Sequence, residues 1–277
     1  MNQSDKHLVS VVIPTFNSGK FISDTIKSVL NQTYTKFEII VIDDGSTDNT
    51  VSILNNLYKN DKRINYHIMS HSGRPAIPKN FGIEKSKGEF IAFLDADDIW
   101  NKNKLAKQIS EFEKHPDYIF LYSMSVTFGN VTLFSPNYEV LPLLHKAVKT
   151  GNDLLIIGNS ITCSSVLVKK EALQKVNGFD EDERLKAVED YDLWIKLSKI
   201  GTFGFIPRIL TYYRIHSTQS SADWQTKQER LKYLSDKRNL NLPVYKYYRN
   251  KGLFFLIIRN FIHYSTYLYV KFLTLFD

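Results

Sequence analysis

Three acidic residues follow one apolar run of this sequence closely enough to do metal chemistry together. Asp95, Asp97 and Asp98 come directly after residues 90–94, which are wholly apolar. Carboxylates gathered at the end of a core strand repel one another unless a cation offsets their charge. Oxygen ligands favour Mg²⁺ or Mn²⁺, which bind through one or two carboxylates together with substrate phosphates. We predict a divalent-metal site here, although so short an acidic motif is also common in surface turns.

A second acidic group follows the apolar run of residues 37–42. Asp43 and Asp44 end this run, and Asp48 comes four residues after Asp44, where a helical pattern begins. A carboxylate at a strand end can accept a hydrogen bond from a nucleobase or a ribose. Asp48 fits a turn or a helix cap better. The sequence therefore favours Asp44 as the ligand-binding residue of this group.

Glu189 and Asp190 form a third acidic group at the start of an amphipathic helical segment. Acidic residues at this end of a helix complement the helix dipole. A partly buried carboxylate in the same place can also act as a general base. The residues alone leave both interpretations open.

The elements that must position these acids form an alternating pattern in the first half of the chain. Apolar runs at residues 8–13, 37–42, 64–69, 90–94 and 118–122 alternate with segments of helical spacing. This pattern is typical of a mainly parallel sheet covered by helices, whose ligand crevice lies at the carboxyl ends of the strands. Further on, we predict a strand over 163–168, a helix over 191–200, a strand over 209–215 and irregular structure over 128–144.

The composition of the chain excludes several classes of protein. Its 277 residues are 43% hydrophobic and 23% charged, which is enough to bury a large core and does not fit a disordered or collagen-like chain. The single cysteine, Cys163, excludes an internal disulfide framework and a multi-cysteine metal cluster, and is expected to be a small core residue. The polar start of the chain does not match a signal peptide, so we expect a cytoplasmic protein.

The acidic motifs and their surroundings resemble the family 2 inverting glycosyltransferases of the GT-A fold. The matching segments follow the order and approximate spacing of the family across residues 8–216. They are residues 9–17, 28–34 and 41–48, Lys79 and Asn80 with Gly82, Asp95 with Asp97, and Glu189 and Asp190 with Trp194. The resemblance implies an α/β, Rossmann-like fold with a mainly parallel sheet flanked by helices. It also implies transfer of a sugar from a nucleotide-diphosphate sugar to a hydroxyl group.

By this resemblance, the donor nucleotide lies against the ends of the first two strands. Pro14, Thr15 and Phe16 occupy the family's nucleotide-binding segment, and Phe16 lies against the base. Asp44 accepts a hydrogen bond from a uracil ring N–H, which implies a UDP-linked donor.

The resemblance also assigns residues to the diphosphate, the metal and the proton. Asp97 ligates Mn²⁺ or Mg²⁺ directly, Asp95 faces the ribose or a metal-bound water, and Asp190 is the general base. Lys79 stands where the family commonly has arginine, so a point charge replaces a planar bidentate contact to the donor. His216 occupies a position near the diphosphate, where a structural role is equally open.

One base and one metal favour a single displacement with inversion, because a retaining route would need a covalent nucleophile or another device. The expected product is β-linked when the donor is α-linked. Asp98, the third acid of its group, receives no role from the sequence. The resemblance also implies a glycan acceptor, carried on a lipid in bacterial cell-surface polysaccharide synthesis.

The end of the chain is basic and aromatic. Residues 225–277 contain ten basic and three acidic residues, and residues 253–276 are almost entirely apolar. We predict a GT-A domain over residues 1–220 and a helical C-terminal extension over 221–277 that binds the membrane surface through anionic lipid. A membrane span remains an alternative, although a mid-bilayer Arg or Lys costs about 2.5–3.5 kcal/mol. A core or dimer contact is the other alternative. The interfacial interpretation places the protein peripherally on the inner face of the cell membrane.

Other functions receive less support from the sequence. No nucleic-acid-binding module is recognisable, so we expect no nucleic-acid partner. A nucleotidyltransferase that makes nucleotide sugars would show a glycine-rich, basic loop after the first strand, and residues 15–20 offer only Gly19 and Lys20. A sugar- or lipid-binding relative without catalysis is the remaining alternative. The sequence does not determine the sugar, the linkage or the oligomeric state.

Overall fold

The computed structural model describes residues 6–130, 159, 161–217 and 224–240. The strands are β1 (Val9–Thr15), β2 (Phe37–Asp43), β3 (Ile64–Ile68), β4 (Phe90–Phe93), β5 (Ile99–Trp100), β6 (Tyr118–Gly129), β7 (Leu167–Lys169) and β8 (Thr202–Ile215). The helices are α1 (Ile22–Leu30), α2 (Thr50–Asn60), α3 (Ala76–Lys85), α4 (Lys104–Lys114), α5 (Lys170–Lys175), α6 (Glu189–Ser198) and α7 (Trp224–Arg238).

The strands form a single mixed sheet in the order β3-β2-β1-β4-β7-β6-β8-β5. Strands β1 to β4 pair in parallel through β1–β2, β1–β4 and β2–β3, and β6 pairs in parallel with β8. Strand β7 is antiparallel to β4 and β6, and β5 is antiparallel to β8. The carboxyl ends of β1, β2 and β4 therefore meet at the same edge of the sheet, which is where the acidic motifs lie.

The predicted strands of the first half are confirmed, and β6 continues to Gly129, which includes the start of the segment predicted to be irregular. Residues 131–144 of that segment lie outside the described residues. The strand predicted over 163–168 begins late, because Cys163–Ser165 form a 3₁₀ turn that is closed by a hydrogen bond from Ser165 N to Thr162 O. The last strand begins at Thr202, earlier than predicted.

Apolar side chains fill both faces of the sheet. On one face, α1 contributes Ile22, Ile26 and Val29, and α4 packs Leu105 and Ile109 into the same cluster. Burial of these side chains accounts for the helical spacing that the sequence shows between strands.

Helix α6 packs against the other face of the sheet. The ring of Trp194 is fully buried and meets Phe120 of β6 at a centroid distance of 4.7 Å. Leu193 and Leu197 complete this apolar face, and the expected core residue Cys163 belongs to the same cluster. The apolar side chains of this amphipathic helix are therefore the buried ones.

Helix α7 lies beyond the predicted boundary at residue 220, and it packs on the sheet domain. Leu234 is fully buried in the core cluster of α6, and Leu231, Tyr233 and Leu240 pack against that cluster. The division at residue 220 stays a prediction. Among the described residues, no helix has both the length and the apolar character that a membrane crossing needs. The apolar segment 253–276 lies outside those residues.

Replacing Gly82 with alanine is expected to destabilise the domain. A Cβ atom at Gly82 would overlap Cγ1 of Val12, which forces α3 away from β1. Overpacking of this kind typically costs about 1–3 kcal/mol. The measurement is the free energy of unfolding from urea titration. Glu84→Ala on the exposed face of the same helix is the control, and equal stabilities for the two variants would contradict the expected close packing.

Candidate active site

The ends of β1 and β2 are joined by a backbone hydrogen bond, and they carry the residues predicted to bind the nucleotide. Asp44 N donates to Thr15 O at 2.8 Å, so the two strand ends are fixed side by side. Phe16 follows β1, is 43% exposed, and stacks on His71 with ring centroids 4.0 Å apart. Thr15 is buried next to the partly buried Pro14, and its hydroxyl has no hydrogen-bond partner in the described part of the chain. This edge offers an exposed aromatic face next to a buried carboxylate.

The carboxylate of Asp44 is held by donors from the loop after β3. It accepts Ser72 N at 2.8 Å and Gly73 N at 3.3 Å, and His71 Nδ1 lies 3.0 Å from Oδ2. An ionised carboxylate has about four lone-pair sites, so these donors leave room for about one more. A nucleobase N–H is a donor of the required kind.

The acids after β4 meet β8 rather than lying free in a turn. His216 Nε2 lies 2.8 Å from Asp97 Oδ2. Arg214 Nε donates to Asp97 O at 2.7 Å, and its guanidinium lies between the rings of Phe21 and Phe128, 4.8 and 4.5 Å from their centroids. These contacts fix the backbone and the side chain of Asp97 together.

Asp98 has a structural role in this loop. It is fully buried, accepts Ser164 Oγ at 2.6 Å and accepts Arg214 N at 2.9 Å. Burial raises the pKa of its carboxyl well above the ordinary value, and the carboxylates of Asp97 and Asp95 add to the rise. Asp98 therefore ties the acidic loop to β8 and to the 3₁₀ turn.

Lys79 and Glu189 form a buried ion pair between α3 and α6. Lys79 Nζ lies 2.9 Å from Glu189 Oε1, and the two side chains are 5% and 7% exposed. Burial by itself would lower the pKa of Lys79. The charges of neighbouring groups have the larger effect, so the pKa is raised well above its ordinary value. Those groups are Cys163, Glu189, Asp95 and Asp190.

Asp95 belongs to the same electrostatic cluster. Burial raises the pKa of its carboxyl to about 6 against the opposing pull of Lys79, and Asp97 and Glu189 add to the rise. Its backbone N–H donates to Ser164 Oγ at 3.0 Å. Asp95 therefore lies close enough to Lys79 and Glu189 to feel their charges, which places two of the acidic motifs in one cluster.

Asp190 opens helix α6 and is partly buried. Its Oδ1 accepts Tyr191 N at 2.7 Å and Asn159 Nδ2 at 3.2 Å. The Asp190 carboxylate helps to raise the pKa of Lys79, as those of Glu189 and Asp95 do. The carboxylate predicted as base and a carboxylate predicted near the metal thus share one neighbourhood.

The residues predicted to bind the metal fit an ion that takes only some of its ligands from the protein. Among the described residues, no three or more His, Cys, Asp or Glu side chains are grouped so that they could hold a metal ion by themselves. Asp97 is partly exposed, and burial, with a contribution from acidic neighbours, raises the pKa of Asp95 and of Asp98. A hard divalent cation that takes one or two carboxylates and completes its shell with phosphates suits this donor set.

The structure brings the predicted site residues into two groups. In the first group, Lys79 interacts electrostatically with Asp95 and Asp190, and His216 contacts Asp97. In the second group, Phe16 and Asp44 follow the ends of β1 and β2. No hydrogen bond or ion pair of the described residues joins Asp44 to Asp95, Asp97 or Asp190. A ligand that spans both groups must therefore extend along the strand ends.

Sequence reasoning missed several residues that shape this region. The sequence alone does not point to His71 or Arg214, because their roles depend on contacts with Phe16 and Asp97 from distant parts of the chain. Asp48 behaves as expected for a turn residue, since it accepts Thr50 N at 2.9 Å and Gly19 N at 3.0 Å.

Comparison with known proteins identifies relatives. The model of glycosyl transferase family 2 matches residues 10–176. The glucosyltransferase of Escherichia coli named UDP-Glc:alpha-D-GlcNAc-diphosphoundecaprenol beta-1,3-glucosyltransferase WfgD is 34% identical over 221 residues, which are 79% of this chain and 81% of the relative. A Bacillus subtilis protein named for teichuronic acid biosynthesis, the glycosyltransferase TuaG, is 28% identical over 227 residues, 81% of this chain and 86% of the relative.

Solved structures share the fold. Residues 1–349 of S. aureus TarS in complex with UDP-GlcNAc match with a TM-score of 0.65 at 21% identity, covering 84% of this chain and 67% of that one. The mannosyltransferase PcManGT from Pyrobaculum calidifontis, in complex with GDP-Man and Mn²⁺, matches with a TM-score of 0.64 at 17% identity, covering 94% and 74%. The sheet and its flanking helices therefore have the GT-A-like architecture that the sequence predicted.

Proposed function

Since the chain belongs to glycosyl transferase family 2, we propose that it is an inverting, metal-dependent glycosyltransferase that moves a sugar from a UDP-sugar to a hydroxyl group of a lipid-linked glycan. The observation that carries the proposal is the cluster of Asp95, Lys79, Glu189 and Asp190 beside Asp97. It sets a candidate base next to carboxylates that could hold a divalent metal, and such an ion would in turn bind the donor's diphosphate. The nucleotidyltransferase alternative has no support among these relatives.

The donor nucleotide binds across the ends of β1 and β2. Its base lies against Phe16, which is exposed enough to stack, and donates a ring N–H to Asp44. The WfgD relative is named for a UDP-Glc donor, and TarS is described in complex with UDP-GlcNAc. Uracil offers the N–H donor that a carboxylate acceptor requires.

The diphosphate lies toward the end of β4. Asp97 and Asp95 are the residues that would hold Mn²⁺ or Mg²⁺, an ion that offsets the negative charge growing on the leaving diphosphate when it is bound. His216 keeps Asp97 Oδ2 in place at 2.8 Å, and Arg214 holds the carbonyl oxygen of the same residue. Lys79 adds positive charge from within the domain.

Asp190 removes the proton from the acceptor hydroxyl as that oxygen attacks the anomeric carbon. Bonds from Tyr191 N and Asn159 Nδ2 fix one carboxylate oxygen. Attack from the face opposite the leaving diphosphate gives inversion in a single displacement. The oxygen–carbon bond forms as the bond to the diphosphate breaks, and the proton passes to Asp190.

The acceptor proposal rests on the name of WfgD, which describes a diphosphoundecaprenol-linked acceptor. A lipid-linked acceptor agrees with the predicted attachment of residues 221–277 to the inner face of the cell membrane. We propose this peripheral attachment on sequence grounds, through the basic residues that precede the apolar segment 253–276.

The proposed function is tested with a panel of UDP- and GDP-sugars, Mn²⁺ or Mg²⁺, and a diphosphoundecaprenol-linked sugar acceptor. The expected result is release of UDP that depends on the acceptor, falls at least about a hundredfold with EDTA and returns when Mn²⁺ is added. Asp97→Asn is expected to weaken both UDP binding and turnover, because it removes a ligand that acts in both.

Three results would contradict parts of the proposal. Turnover that EDTA leaves unchanged would contradict the proposed metal dependence. Release of GDP alone would contradict the assignment of a uridine nucleotide to the donor. No turnover on any donor, from protein that binds UDP, would favour the non-catalytic relative.

A further inference from the structure

We propose that Arg238, at the end of helix α7, is a positioning residue for the catalytic base. It acts through two hydrogen bonds to the carboxylate of Asp192, called the fork below, on the side of helix α6 away from Asp190. The inference rests on the proposed function, because it concerns the placement of Asp190. Neither the family match, which ends at residue 176, nor the sequence motifs include Arg238.

The contact between Arg238 and Asp192 is bidentate and largely buried. Arg238 Nε lies 2.6 Å from Asp192 Oδ1, and the Nη2 atom lies 2.9 Å from Oδ2. The Asp192 side chain has no exposed surface, and that of Arg238 is 23% exposed. Two parallel charge-assisted bonds fix direction as well as distance, which one lysine ammonium does not do.

The fork acts on the face of α6 that lies opposite the base. An α-helix turns by about 100° per residue, so Asp190 and Asp192 point about 200° apart. On another side of the same first turn, Glu189 is paired with Lys79. The first turn is therefore held from α3 and from α7, and its rotation decides where the Asp190 carboxylate lies.

Arg238, which donates both bonds of the fork, is itself held in place by other contacts. Arg238 Nη2 also lies 2.9 Å from Asp180 Oδ2, in the segment before α6. Helix α7 is fixed along its length by the buried side chain of Leu234 and by Arg230, which donates to Lys186 O at 2.7 Å. Arg238 thus connects α6 to a packed element, and movement of α7 is transmitted to the base.

This connection also accounts for part of the basic excess of the C-terminal residues. Lys237 pairs with Asp180 at 2.8 Å and with Asp182 at 3.0 Å, next to the fork of Arg238. These charges have partners inside the folded domain. Lys237 contacts the segment before α6 and makes no bond to Asp192, so it offers a matched control.

The test compares Arg238→Ala, Arg238→Lys and Lys237→Ala by steady-state kinetics, UDP binding and thermal unfolding of the full chain. We expect kcat to fall at least tenfold in Arg238→Ala, with UDP binding unchanged within twofold at a temperature where the variant is folded. Added guanidinium should restore part of the lost kcat, because it can occupy the vacated fork. Arg238→Lys should stay below wild type, and Lys237→Ala should keep kcat within twofold.

A purely structural role would lower the unfolding temperature, leave kcat per folded molecule intact and show no rescue by guanidinium. That result overturns the inference. If Arg238→Ala does not fold, Asp192→Asn replaces it, since it keeps the shape of the side chain and removes the charge; normal kcat in that variant overturns the inference as well. A wild-type chain without turnover overturns the proposed function, whereas an active wild type with an unaffected Arg238→Ala overturns only the positioning role.

Discussion

Asp190→Asn is expected to reduce turnover by about 10²–10⁴-fold, the range that a positioned general base contributes. Asparagine keeps the size of the side chain and can still accept the hydrogen bond from Tyr191 N through its amide oxygen. It cannot take a proton from the acceptor hydroxyl. The loss should therefore fall on kcat, and UDP binding measured by calorimetry should stay within about twofold of wild type.

The matched control for this variant is Asp24→Asn. Asp24 lies in the first turn of α1, as Asp190 does in α6, and is exposed to solvent. The same chemical change there should leave turnover unaltered. An Asp190→Asn enzyme with wild-type kcat would show that another group removes the proton and would end the assignment of the base.

The meeting of the acidic motifs at one edge of the sheet could be predicted because local features determine it. The apolar runs of β1, β2 and β4 carry their own strand signal, and the acids follow them directly, so their meeting at one edge follows from parallel pairing. The start of helix α6 could be predicted from its amphipathic pattern, but the residues alone left Asp190 open between complementing the helix dipole and acting as a general base. Leu193 and Trp194 of this helix are fully buried, as the amphipathic pattern predicted.

The parts of the site that the sequence did not predict depend on contacts between distant segments. Asp98 is hydrogen-bonded to Ser164 and Arg214, 66 and 116 residues away, and nothing in its local sequence distinguishes it from Asp97, the proposed metal ligand. The pairing of Arg238 with Asp192 spans 46 residues. Ion pairs of this kind leave no periodic signal in the sequence.

The late start of β7 has a similar cause. Residues 163–168 are apolar or small enough to predict a strand throughout, but Ser164 and Ser165 are needed for other bonds. Ser164 Oγ donates to Asp98, and Trp100 Nε1 donates to Ser164 O at 2.7 Å. The turn that makes these bonds possible supports the acidic loop, so a local departure from strand geometry serves the site.

Lys79→Met is expected to destabilise the domain by about 3–5 kcal/mol, the cost typical of removing one partner from a buried ion pair. The Glu189 carboxylate would lose its partner in a site where its side chain is 7% exposed, and its Oε2 already has no hydrogen-bond partner among the described residues. The measurement is the free energy of unfolding from urea titration. The double variant Lys79→Met, Glu189→Leu should recover most of the loss, because the uncompensated charge is removed.

Lys85→Met on the same helix is the matched control. Its ammonium lies 3.0 Å from Glu84, but the two side chains are 39% and 69% exposed, and exposed pairs contribute about 0–1 kcal/mol. The two substitutions are therefore expected to differ widely in their effect on the free energy of unfolding. Burial alone accounts for this difference, because the N–O distances of the two ion pairs are almost the same. Equal effects of the two substitutions would mean that Glu189 finds another partner or a proton when Lys79 is absent. In that case Lys79 would not be what holds the first turn of α6 against α3.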